Sequence, residues 1–214
     1  MYSSTDRMSL SMHYHHENYT IDIAGFYNRI NDYIYISPTG DTTANGLYIF
    51  RYRQDNSYLF AGEAGIHFHP VNAGWLHLKT TCSTVTGRQE NGQNLPSIPA
   101  GRFNFEIRAE KDKAAFLNDA FVMGRPEFVF RQPRNAPDET PTDEYLLLDL
   151  SAGGNIKIGK QMMSVILSVS NLLDKKYIDH HSTLKEVGFY NPGRNISLSV
   201  KIPFKFMNNN GEME

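Results

Sequence analysis

Hydrophobic and polar residues alternate along most of this chain with the period of an extended strand, and the clearest case lies at 102–110. Phe103, Phe105, Ile107 and Ala109 fall on one side, and Arg102, Asn104, Glu106, Arg108 and Glu110 on the other. Successive strand side chains point to opposite faces, so this segment has one apolar and one highly charged face. The same pattern recurs near the end. Val165, Leu167 and Val169 face one way against Ser164, Ser168 and Ser170, while Ile196, Leu198, Val200 and Ile202 alternate with Asn195, Ser197, Ser199 and Lys201. Further strands are predicted at 9–14, 19–28, 47–68 with a bulge at Asn56 or Gly62, 75–83, 114–131 and 145–152. Residues 31–46, 88–101 and 132–142 are rich in Pro, Gly, Asn, Asp and Thr and read as long loops. Short turns are predicted at 69–74, 111–113 and 153–160.

The order of the connections carries information beyond their composition. Long and short connections alternate, which places every long loop at one end of an antiparallel up-and-down sheet. Soluble sandwiches have no cause to do this, whereas outer-membrane barrels combine short periplasmic turns with long extracellular loops. Strands of about ten residues also match the ~9 to 11 that a tilted membrane strand requires. About nine strands are predicted, while single-chain bacterial barrels have an even number, so the expected architecture is an all-β transmembrane antiparallel barrel segment of about 8–10 strands. Two other classes stand beside it: a soluble or surface β-rich binding module, and a small self-contained outer-membrane barrel.

Composition narrows this further. The 214 residues carry a net charge of −2, with 40% hydrophobic and 12% aromatic content, totals that a barrel with a polar lumen shares with soluble domains. The near-neutral charge argues against a nucleic-acid partner. Cys82 is the one cysteine, so no intrachain disulfide or cysteine-based zinc site is possible. The start has neither a basic n-region nor an apolar h-region. No nucleophile elbow, zinc-protease motif or phosphate loop is present, and Glu63 has no acid or base partner at a fixed spacing, so no enzymatic activity and no cofactor are expected.

Several short motifs then occur in a telling order. They are Gly62-Glu63; Leu-Pro-Ser-Ile-Pro at 95–99, with Pro96 and Pro99; Thr142 to Tyr145; Asn-Leu-Leu-Asp-Lys-Lys-Tyr at 171–177, with Asn171, Leu172, Asp174 and Tyr177; and Pro192-Gly193-Arg194 before the last strand. Together they resemble the C-terminal part of the barrel of TonB-dependent outer-membrane receptors. Phe204 and Phe206 resemble the family's terminal aromatics, although a polar tail at 207–214 follows them here. The resemblance implies that 1–206 form the C-terminal portion of a 22-strand barrel without its plug domain, TonB box and signal peptide. It further implies a monomer in the outer membrane of a Gram-negative bacterium, in contact with lipid and with a small-molecule or metal-chelate ligand such as an iron-siderophore, haem or zinc. TonB would be engaged only through the plug and box.

Two sharper readings compete with plainer ones. His180 and His181 sit in a predicted extracellular loop and are candidate metal ligands, but adjacent side chains on extended backbone diverge. His15, His16, His67 and His69 fall at predicted periplasmic turns and are expected to be solvated at the interface. Lys79, Arg102, Glu106, Arg108 and Glu110 are expected to be paired lumenal charges rather than a substrate track. Tyr33, Tyr35, Tyr58, Phe60, Phe204 and Phe206 are expected in interfacial girdles.

Overall fold

The computed structural model of the chain describes residues 3–203, apart from 138 and 160. They form one nine-stranded antiparallel sheet in strict sequence order: β1 Ser4–His16, β2 Tyr19–Thr42, β3 Tyr48–Phe68, β4 Leu76–Gln89, β5 Arg102–Ala114, β6 Leu117–Val129, β7 Tyr145–Ile158, β8 Gln161–Ser170 and β9 Asn195–Lys201. Two single 3-10 turns, Val71–Ala73 and Lys185–Val187, interrupt the connections. The described residues contain no α-helix.

The strand register explains the alternation. Residues directly opposite one another share a face, and Ile107, Gly124, Leu150, Val169 and Ile196 form one continuous row across five strands. Parity then puts Phe103, Phe105, Ile107, Leu198 and Val200 on this apolar face. Asn104, Glu106, Arg108, Ser197 and Ser199 fall on the other, as the alternation predicts. Among the described residues nothing covers the apolar face: Leu10 is 82% exposed, Ile107 44% and Leu198 67%. An apolar surface extending over all nine strands is far larger than soluble monomers leave bare, and it is the surface that lipid covers in a barrel.

Four local expectations change. The segment 31–46 is strand rather than loop over most of its length, because β2 runs to Thr42 and β3 resumes at Tyr48. Only Asn31 and earlier residues of β2 pair with β1, and β4 pairs only from Ser57 of β3. Beyond these points β2 and β3 continue as a two-stranded hairpin that outreaches the sheet. Its Tyr33-Ile34-Tyr35-Ile36 run supplies the β-branched and aromatic residues that suit extended structure, and these outweigh the nearby turn formers. The bulge is carried by β2 opposite Asn56: Ile30 pairs with Ser57 and Tyr33 with Asp55, leaving two residues against one. There Asp32 takes φ 57° and its N–H donates to Asn56 Oδ1 at 3.1 Å. At Gly62, by contrast, the ladder is regular.

The turns predicted at 111–113 and 153–160 also shift. Lys111, Asp112 and Lys113 stay within β5, and the reversal takes place at Ala115-Phe116. All three are exposed, so their charges stay solvated at this strand end. Gly153 and Gly154 stay within β7, with the turn delayed to Gly159. Gly154 faces a bulge in β6, where a Cβ would lie 2.9 Å from the Asn118 carbonyl oxygen, so its small size serves close strand approach rather than reversal.

Candidate functional site

The buried residues of this molecule gather where the long loops meet. Ala100, Val129 and Tyr145 form a small core with Leu147 and Tyr177 packed against it. Arg102, Val129 and Tyr145 share the polar face of the sheet, so the loops fold over that face and not over the apolar one.

The motif residues build the foundation of this cap. Asn171 takes φ 49° directly after β8. Its side chain closes a turn, accepting from the Lys175 N–H and donating to the Lys175 carbonyl, both at 2.9 Å. The Asn171 N–H donates to Asp149 Oδ1 at 3.0 Å, and the Leu172 N–H to the Leu148 carbonyl at 2.7 Å. Asp174, at φ 51°, accepts the Arg194 N–H at 2.9 Å. A Cβ on Gly193 would lie 2.7 Å from that same Asp174 oxygen, so any larger residue there displaces the carboxylate from its place. Tyr177 packs against Tyr145 in a tilted arrangement with ring centroids 4.6 Å apart, and its carbonyl accepts the Asn191 N–H. The structure thus brings Tyr145, Asn171, Asp174, Tyr177, Gly193 and Arg194 into one assembly.

Above this base, two charged clusters tie the loops together. Arg102 Nη1 lies 2.7 Å from Glu127 and its Nη2 2.5 Å from Asp179, which also accepts the Tyr145 hydroxyl at 3.0 Å. Burial tends to raise the Asp179 carboxyl. Hydrogen bonds from the His181 amide and Tyr145, with the charge of Arg102, outweigh it and bring the group below its ordinary value. The second cluster is buried more deeply. Glu139 Oε1 lies 2.9 Å from Lys185 Nζ and accepts the Ser97 N–H at 2.9 Å, while Oε2 accepts the Ala136 N–H at 3.0 Å. His180 Nδ1 is 3.1 Å from Thr142 Oγ1, and its Nε2 is 3.4 Å from Glu139, long for a hydrogen bond. Burial opposes ionisation of Glu139, but the neighbouring His180 ring and the hydrogen bonds from the Ala136 amide, Lys185 and the Ser97 amide prevail and lower its carboxyl to about 2.

These contacts span three loops. Gln132, 1% exposed, donates to the Ile98 and Pro99 carbonyls at 3.0 Å each, Asn94 donates to the Asn135 carbonyl, and Glu186 accepts the Thr140 N–H. Between the cap and the projecting hairpin lies a cleft of about 390 Å³, walled by Ile36, Pro38 and Phe50 on one side and by Pro96, His180 and Lys185 on the other.

The remaining sequence candidates fall elsewhere. His181 is exposed and separate from buried His180. Gly62 lies on the apolar face and exposed Glu63 on the polar one, in the same cross-strand row as Ser83 and Arg102. Among the described residues, no three His, Cys, Asp or Glu side chains converge for a metal ion. Phe204 and Phe206 lie outside the described residues. Of the predicted charges, Arg108 pairs with Glu110 at 2.5 Å, and Lys79 stands directly opposite Glu106. Glu139, Asp179, Lys185 and Gln132 escape sequence reasoning. Each lies in an aperiodic segment predicted as a loop, where no spacing singles out one polar residue from its neighbours.

A family model described as TonB dependent receptor-like, beta-barrel, matches residues 6–172. Among solved structures, the fold is similar to the copper transporter OprC, with a TM-score of 0.78 and 17% identity over 94% of this chain and 31% of that one. It is also similar to BauA, the ferric preacinetobactin receptor from Acinetobacter baumannii, with a TM-score of 0.67 and 16% identity over 92% and 29%. For the FrpB iron transporter from Neisseria meningitidis the TM-score is 0.64, with 14% identity over 92% and 31%. At such identities the likeness is one of fold. The chain spans about a third of the length of these proteins.

Proposed function

The chain belongs to the TonB-dependent receptor β-barrels, and on that footing we propose that it forms barrel wall and ligand-gating loops of an outer-membrane receptor for a scarce nutrient, a metal or metal chelate such as an iron-siderophore, haem or zinc. The observation that carries this reading is the pairing of a continuous lipid-type face with a loop cap folded over the opposite, polar face. In this reading the apolar face meets outer-membrane lipid, the polar face lines the lumen, and the long loops stand outside the cell of a Gram-negative bacterium. The nine strands from Ser4 to Lys201 all belong to that barrel wall. The protein acts as a monomer and needs TonB only through the plug and TonB box that such receptors carry.

The cleft between hairpin and cap sets the apolar wall of Ile36, Pro38 and Phe50 beside the loops of the cap, a mixture suited to an organic chelate with aromatic groups. A bare apolar face does not favour a soluble module, and β1 and β9, which do not pair with each other, do not favour a small closed barrel. The family and the similar structures are transport receptors, which agrees with a non-enzymatic role. Fractionation tests the location: the protein is expected in the detergent-resistant outer-membrane fraction, and recovery from the soluble fraction refutes the proposal. Uptake of labelled iron chelates, haem and zinc by cells with and without the gene tests the substrate class.

A further inference from the structure

Histidines collect on the polar face at the short-turn end of the sheet, remote from the loop cap. His13 and His15 of β1, His67 of β3 and His77 of β4 share this face, and His69 follows directly after β3. His67 Nε2 stands 3.4 Å from His77 Nδ1, and the rings lie 5.6 Å apart. This separation is long for a hydrogen bond but suits two ligands of one ion. Nitrogens at ~2.0 to 2.1 Å from a common zinc and 3.4 Å apart subtend about 110° at the metal, close to the tetrahedral angle.

We propose that His67 and His77 form a chelating pair for a borderline divalent cation, Zn2+ in particular, on the polar wall of the sheet. Imidazole is the ligand such ions select. Two further features fit a built site. His77 presents Nδ1 to His67 and Nε2 toward Glu110, 3.9 Å away, and Glu110 is itself held by Arg108 Nε at 2.5 Å. At 3.9 Å the two are not hydrogen-bonded; on metal binding, closure of that gap supplies the outer-shell carboxylate that fixes a ligating imidazole's tautomer and orientation. The ring of His69 lies 5.0 Å from that of His67, and its Nδ1 is enclosed without a hydrogen-bond partner. Among the described residues no three such side chains are already converged, so the pair binds first, water fills the open positions, and His69 joins by rotation. The positive charge of Lys79, directly opposite His67, is offset by Glu106 directly opposite Lys79. The pair rests on the geometry of β3, β4 and β5 alone and stands independently of the receptor reading.

The test is titration of the full chain in detergent with Zn2+ by calorimetry and with Co2+ by visible absorption. One saturable equivalent is expected, with the intense d–d bands of tetrahedral Co2+. His67→Gln and His77→Gln should each abolish it, and the exposed loop variant His181→Gln should leave it intact. Glu110→Gln, which changes an exposed side chain and leaves the fold undisturbed, should weaken binding by about tenfold or more. Absence of saturable binding, or binding unchanged in both histidine variants, overturns the proposal; unchanged affinity in Glu110→Gln overturns the orienting role. Uptake experiments do not enter this result, so its failure is distinct from failure of the receptor reading.

Discussion

Glu139→Gln removes the one negative charge around which the three loops converge. The amide keeps the shape and a single acceptor oxygen, so the change is electrostatic rather than steric. In the native protein the Glu139 and Lys185 side chains are 4% and 5% exposed, which leaves little solvent screening. The carboxyl titrates at about 2 instead of an ordinary 4.5, a preference for the charged form of about 3 kcal/mol. This agrees with the ~3 to 5 kcal/mol lost when one partner of a buried ion pair is removed. Because Lys185 can swing toward Glu186, 3.6 Å from its Nζ, about 2 to 3 kcal/mol is the fitting expectation for the variant. Hydrogen exchange followed by mass spectrometry reads this directly. Loop amides around Ser97, Ala136 and Lys185 should exchange roughly 30- to 150-fold faster, while β5 to β8 remain as protected as before. The native cap should show a matching pH dependence. A depressed carboxyl contributes in full above about 4.5, and that contribution drains away as pH falls toward about 2. Glu139→Gln should lose that dependence. Equal loop protection in native protein and variant at neutral pH would refute the reasoning.

Other outcomes follow from the same geometry. Gly193→Ala should push Asp174 off the Arg194 amide, at a cost of ~1 to 3 kcal/mol in thermal unfolding, and Asp174→Ala should lose a similar amount. Arg102→Met leaves Asp179 and Glu127 without their shared cation, and partial exposure limits the loss to ~1 to 3 kcal/mol; faster proteolysis of the 171–194 loop is the measurement. Ile107→Arg puts a charge on the apolar face and should reduce bilayer insertion by ~2 to 4 kcal/mol, whereas Ser197→Arg on the polar face should insert like the native chain. Equal insertion of the two variants would reverse the assignment of faces.

What the sequence determined was the sheet and its two faces. A strand has a period of two whatever surrounds it, so Phe103, Ile107 and Leu198 were bound to lie apart from Asn104, Arg108 and Ser197, and the alternation of connection lengths ordered the strands. Where the chain leaves the hydrocarbon layer that constraint lapses. Strands there need not alternate, and 31–42, 111–113 and 153–158 therefore read as loop or turn although the sheet continues through them. The cap was the province of tertiary structure. Glu139 and Lys185 are 46 residues apart and Arg102 and Asp179 are 77 apart, and no local propensity links such pairs. The histidines behave likewise: composition shows eight of them, but only the register of β3 against β4 sets His67 beside His77. Side-chain direction along a strand is fixed by covalent geometry, whereas the meeting of distant loops depends on which polar groups can satisfy one another once water is excluded.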